Sequence, residues 1–145
     1  MLKHVLIAVA ALLLVAPVMA QDEVGTLTFT ANGEDFIRQG FVSKDGWDIS
    51  FSNVTVNVSQ VRAYQTSPSY NPDEGELVRS DEMVGLPGSF VIDLAEGDED
   101  AAPLTVATLE DVPAGFYNAL AWTVAPPMDG DMAGTALQIA GTATR

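Results

Sequence analysis

The sequence predicts an all-β protein, an antiparallel Greek-key β-sandwich that follows a cleavable signal peptide. Three observations support this prediction. Apolar and polar residues alternate in several runs after residue 20, clusters of glycine, proline and aspartate separate these runs, and no run after Gln21 sustains the apolar spacing of a helix. We expect a single domain over residues 21–145, because the chain shows neither a low-complexity linker nor an internal repeat.

The first 20 residues are typical of a signal peptide. Lys3 and His4 form a short basic region, residues 5–15 are entirely apolar, and Pro17 ends the apolar run. A helix of roughly 11 residues spans only about half of a hydrocarbon core about 30 Å thick, so this run is too short for a membrane anchor. With cleavage after Ala20, the sequence predicts export to the periplasm or exterior of a bacterium, as a soluble protein that does not span the membrane.

The charged residues exclude several classes of function. The chain has 145 residues, with 6 Lys and Arg, 20 Asp and Glu, one His and no Cys. Lys3 and His4 lie in the predicted signal peptide, so the exported chain carries 5 basic and 20 acidic residues, a net charge of −15, and no imidazole or thiol. Nucleophilic triads and His/Cys metal sites need those groups, and negative charge repels phosphate. We therefore expect neither an enzyme nor a nucleic-acid-binding protein.

The first predicted strand covers residues 24–31. Leu27 and Phe29 lie on one face of this strand, and threonines alternate with them on the other face. Residues 32–40 follow, where Phe36 favours a short helical turn.

Two further runs, at residues 47–51 and 54–58, alternate cleanly but are out of phase by one residue. One extra residue in a strand reverses the facing of every side chain beyond it. We therefore predict a bulge or bend at Ser52 and Asn53 that returns both apolar sets to one face.

The second half of the chain contains a predicted loop and four predicted strands. Residues 66–83 are rich in Ser, Pro, Asp and Glu and are expected to form an excursion loop. A type I turn at Pro113 and Gly115 is expected to lead into a strand that carries apolar residues on both faces, which is typical of a strand covered on both sides. The last run is either an edge strand, or the sequence lacks a final strand. The four strands are predicted at residues 89–94, 104–109, 116–124 and 136–143.

Three segments resemble known sandwich domains. Residues 112–118 are similar to the turn that leads into a strand in prealbumin-like and carboxypeptidase-regulatory-like sandwiches. Residues 47–61 resemble a strand of the DUF4382-like domains, an exported bacterial family of unknown function, and residues 25–30 resemble the opening strand of that family. The resemblance implies an immunoglobulin-like or prealbumin-like β-sandwich and export, and it carries no catalytic residue to this chain.

Calcium is the metal that the composition leaves open, because Ca²⁺ takes only oxygen ligands. The densest acidic loop carries four carboxylates, on Glu96, Asp98, Glu99 and Asp100. The first interpretation is a solvated acidic turn that keeps the protein soluble, and no cofactor is then expected. The alternative hypothesis is a Ca²⁺ site formed by these four residues, because a bound cation would relieve their mutual repulsion.

These observations fit an exported, non-catalytic β-sandwich that acts as a binding or envelope-associated module for a protein or a glycan. Trp47, Tyr64 and Tyr70 lie near predicted strand ends and are candidates for stacking on a sugar or a partner protein. A Ca²⁺-dependent adhesion or carbohydrate-binding domain that uses the acidic loops is the alternative. A glycosidase with two carboxylates stays open as a third class.

Overall fold

A computed structural model describes residues 23–80 and 82–145 of the chain. This part contains eight β-strands, one short α-helix and one 3₁₀ turn, and its strand pairs are antiparallel, which confirms the all-β prediction. The predicted signal peptide lies outside the described residues. The elements are β1 (Val24–Ala31), α1 (Asp35–Gln39), β2 (Phe41–Val42), β3 (Asp48–Gln65), a 3₁₀ turn (Pro72–Glu74), β4 (Glu82–Gly85), β5 (Ser89–Asp93), β6 (Leu104–Pro113), β7 (Ala119–Val124) and β8 (Leu137–Thr144).

The 18-residue strand β3 organises the larger sheet, because each of the other five strands of that sheet pairs with it. Val56 pairs with Ile92 of β5 on one side and with Leu137 of β8 on the other. Further along, Val58 has β5 and β7 on opposite sides, and Arg62 has β4 and β7 on opposite sides. The strands β2, β5 and β4 therefore follow one edge of β3, and β8 and β7 follow the other edge.

Two bulges bend β3. The register towards β8 shifts between Phe51 and Asn53, which confirms the predicted bulge. Phe51 pairs with Gly141 and Val54 pairs with Ile139, two residues away on β8, so the two out-of-phase runs do share one face. In the pairing of β3 with β7, a second register shift lies between residues 59 and 62.

The smaller sheet consists of β1 and β6, which form a pair separate from β3. Leu27 pairs with Leu109 and Phe29 with Ala107, so both strands direct apolar side chains to the same face. Phe29 belongs to the same buried cluster as Val61 of β3, and this places the two sheets face to face in a sandwich-like arrangement. The buried cluster consists of Phe29, Val61, Ala63 and Leu86.

Helix α1 lies against the first half of β3. The ring of Phe41 contacts Phe36 edge-on with centroids 6.2 Å apart, and it lies 6.3 Å from the ring of Phe51. Gly40 ends the helix at a φ of 78°, where a Cβ would overlap the carbonyl oxygen of Ile49, so the close approach of helix and strand requires glycine. The short helical turn predicted within residues 32–40 is confirmed.

Some strands differ from the sequence prediction. Strands β2 and β4 have two and four residues, too few for alternation to reveal them, and β4 begins inside the stretch predicted as a loop. Strand β6 continues to Pro113, which pairs with Val24. Pro113 therefore lies in a strand and not in the turn predicted from the sequence. In the described part of the chain, no helix is both long and apolar enough to cross a membrane.

Candidate functional site

An apolar cleft of about 440 Å³ opens between the two sheets, beside β7. Residues 29–32, at the end of β1, line one wall, and Val56 and Val58 of β3 lie at its floor. Leu120 and Trp122 of β7 also line the cleft, and more than half of each side chain is exposed. The residues that line the cleft are uncharged, so the cleft suits an apolar occupant.

The apolar side chains of β7 belong to the inner face of the larger sheet. Leu120 pairs with the buried Ala63, and Val124 pairs with Val58, which packs against the buried cluster. Paired residues of antiparallel strands point to the same face, so Leu120, Trp122 and Val124 all point inwards. They are nevertheless 54%, 56% and 50% exposed. The expectation that this strand is covered on both faces is therefore wrong, because the smaller sheet does not extend over it.

Strand β8 continues the uncovered surface. Leu137 pairs with Val56 and Ile139 pairs with Val54, so these two half-exposed side chains share the inner face with the cleft floor. We refer to the five exposed side chains as the β7–β8 face. They are Leu120, Trp122, Val124, Leu137 and Ile139.

Asn57 holds β7 and β8 in line along the edge of β3. Its side chain is 1% exposed, and its Nδ2 donates to the carbonyl oxygen of Ala125, 2.6 Å away, just after β7. Its backbone N–H donates to the carbonyl oxygen of Ala136, 2.9 Å away, just before β8. Its Oδ1 accepts from Ser89 Oγ at 2.6 Å. The side chain of Asn57 thus binds the chain just after β7, and its backbone N–H binds the chain just before β8.

The β7–β8 face is uncovered because the smaller sheet lies over the half of the inner face that contains β5, and not over β7 and β8. A second cleft, of about 490 Å³, is lined by β5, β6 and Glu96, which places β6 above β5. Three residues of β1 line the first cleft together with β7, whereas β6 contributes only Val106. The outer edge of β1, away from β6, is therefore the edge of the smaller sheet nearer to β7. Among residues 23–80 and 82–145, no strand pairs with that edge.

The acidic loop predicted to bind Ca²⁺ lies between β5 and β6, and Glu96 lines the second cleft, which shares Ile92 and Val106 with the first. Glu96, Asp98, Glu99 and Asp100 are all exposed, and Asp98 Oδ1 accepts from the N–H of Asp100 at 3.2 Å. Arg38 supplies a positive charge here, as its Nη1 donates to the carbonyl oxygen of Asp98 at 3.4 Å. In the described part of the chain no three His, Cys, Asp or Glu side chains are grouped to hold a metal ion, so the calcium site stays a prediction.

The aromatic residues proposed for stacking do not line either cleft. Trp47 is exposed beside the guanidinium of Arg145, which lies 5.9 Å from the ring centroid. Tyr70 is exposed and donates its hydroxyl hydrogen to the carbonyl oxygen of Glu76 at 2.9 Å. Tyr64 lies in β3 and is partly buried. The three rings belong to separate local environments, whereas the β7–β8 face forms one surface.

For the β7 residues of the cleft, the sequence shows only that they form one apolar face of a strand. Alternation identifies Leu120, Trp122 and Val124 as one face of a strand, but it does not show whether a second layer covers them. No family model, no curated protein and no solved structure matches this chain.

Proposed function

We propose that the protein is an exported, non-catalytic module that binds an apolar partner through the cleft and the β7–β8 face. The observation that carries this proposal is the half-exposure of Leu120, Trp122 and Val124 on the inner face of the larger sheet. Contiguous apolar surface of this kind marks interaction sites in soluble proteins, because leaving it in water costs about 25 cal/mol for each Å².

The chemistry of the chain supports binding rather than catalysis. Beyond residue 20 the sequence has no imidazole and no thiol, and the residues that line the cleft carry no carboxylate. The cleft lining therefore offers no general base that could activate the hydroxyl of Thr30 as a nucleophile. The uncharged, mainly apolar lining favours an apolar protein segment over a glycan, because the hydroxyl groups of a glycan need polar partners for their hydrogen bonds.

The exported location rests on the predicted signal peptide, and the net charge of −15 after its removal disfavours nucleic acid and anionic membrane surfaces as partners. We further infer an immunoglobulin-like or prealbumin-like Greek-key sandwich, as the resemblance to DUF4382-like domains implies. The pairing of β1 with β6, five strands later in the chain, supports such a topology because Greek keys return a strand by a long connection.

The test of the proposed function is the binding of Nile red, a neutral dye that fluoresces in apolar surroundings. The purified chain is expected to bind the dye, and Leu120→Ser is expected to weaken binding about tenfold, because a Leu side chain contributes about 1.5–3 kcal/mol when it is buried. Leu77→Ser is the matched control, since Leu77 is 81% exposed and lies outside the cleft. Equal dye binding by Leu120→Ser and the unmodified protein would contradict the proposal.

A further inference from the structure

We propose that the outer edge of β1 accepts an extended segment of a second polypeptide, in which apolar residues alternate with lysine or arginine. This inference rests on the proposed function and specifies the partner of the same cleft. The added segment becomes the third strand of the smaller sheet and covers the β7–β8 face.

The edge of β1 is suited to strand addition. In an antiparallel pair, only alternate residues direct their backbone N–H and C=O groups towards the partner, so the remaining groups of the eight-residue β1 point to the outer edge. Strand β1 contains no proline and no lysine, the residues that commonly protect an edge strand against pairing. The backbone of β1 thus offers hydrogen bonds to an incoming strand.

The position of β1 determines what the added strand would cover. Residues 29–32 face Leu120, Trp122 and Val124 across the cleft. A strand beside β1 would lie about 4.8 Å further out in the same layer, above β7. Its alternate side chains would point down at intervals of roughly 6.6 Å, which is also the interval between alternate side chains of β7. Apolar residues at every second position therefore match the β7–β8 face.

The charges near β1 favour a basic segment. Exposed acidic residues lie at both ends of the strand, with Glu23 before it and Glu34 and Asp35 after it. The first basic residue after β1 is Arg38, whose Nη1 is held by the carbonyl oxygens of Asp98 and Ala101. Lysine or arginine on the outward face of the added strand would complement these carboxylates. A second copy of this chain carries the same net charge of −15 and is disfavoured by repulsion.

The experiment uses the full chain and a synthetic peptide of about nine residues, in which lysine alternates with valine and leucine. One control peptide carries proline at two central positions, since proline cannot donate to a strand ladder. A second control peptide carries glutamate in place of lysine. Calorimetric titration is expected to show binding of the lysine peptide, weakened by added salt, and binding of each control at least about tenfold weaker.

Amide hydrogen exchange identifies the place of binding. The lysine peptide is expected to slow the exchange of β1 amides and to leave the exchange of amides at the outer edge of β6 unchanged, which serves as the internal control.

Binding without slower exchange in β1 would overturn strand addition and leave the cleft as the binding site. No binding of the peptide, while Nile red still binds, would also overturn strand addition alone. Loss of both interactions would overturn the proposed function. A dimer that protects β1 before peptide is added would identify a second copy as the occupant and overturn this proposal.

Discussion

Asn57 is the residue on which the geometry of the β7–β8 face depends most directly. Its amide group is buried and its hydrogen bonds reach the chain beyond β7 and the start of β5, while its backbone N–H reaches the chain before β8. Each hydrogen bond that a buried side chain makes contributes about 0.5–1.5 kcal/mol to the free energy of unfolding. The sequence did not identify Asn57, because an asparagine within an alternating run gives no sign of burial.

Asn57→Ala is expected to lower the free energy of unfolding by about 2 kcal/mol, because the carbonyl group of Ala125 and the hydroxyl of Ser89 lose their partner. Urea unfolding followed by circular dichroism measures this change. Ser89→Ala removes only one of the two bonds and is expected to cost about 1 kcal/mol. A loss below about 0.5 kcal/mol for Asn57→Ala would contradict the role assigned to the side chain.

At the level of elements, sequence and structure agree where periodicity is sustained. Strand β1 has the predicted bounds, Val24–Ala31, and the bulge near Ser52 follows from two runs of opposite phase. The short strands β2 and β4 have no period to detect. The uncovered face of β7 could not be predicted either, because alternation reports which side chains share a face and not how many strands the opposite sheet contains.

The second bulge of β3 gives a prediction about backbone strain. Gln60 has a φ of 51°, in the left-handed region that costs an L-residue roughly 1–2 kcal/mol. Gln60→Gly is expected to raise the free energy of unfolding by about 0.5–1 kcal/mol, since glycine adopts this conformation without a Cβ clash. The comparison variant Gln60→Val is expected to lower it, because a β-branched residue fits this region worst. Chemical denaturation measures both values, and the same sign for both variants would contradict the account.

Over the whole molecule, charge distinguishes two neighbouring clefts, which share Ile92 and Val106. The acidic loop between β5 and β6 lies at the second cleft, whereas the residues that line the first cleft carry no charge. The sequence predicted the acidic loop because charge is visible in the composition. The cleft depends on how the two sheets are placed relative to each other. The smaller sheet forms by the long-range pairing of β1 with β6, and the local alternation of residues does not predict such pairing.

The possible calcium site in the acidic loop belongs to this scale, because a bound ion would change the net charge of the molecule. If Ca²⁺ binds Glu96, Asp98, Glu99 and Asp100, millimolar Ca²⁺ is expected to raise the melting temperature and to release or absorb heat in a titration. Asp98→Asn is then expected to weaken binding, and Asp73→Asn, in a separate loop, is the control. No heat and an unchanged melting temperature would leave the solvated acidic turn as the interpretation.

The central claim is that the inner face of the larger sheet is open to solvent at β7, and the fluorescence of Trp122 tests it most directly. The chain has two tryptophans, so Trp47→Phe leaves Trp122 as the only reporter. Its side chain is 56% exposed, and the account predicts emission typical of a hydrated indole that acrylamide quenches readily. Blue-shifted emission that acrylamide does not quench would show that the face is covered, and would contradict the account.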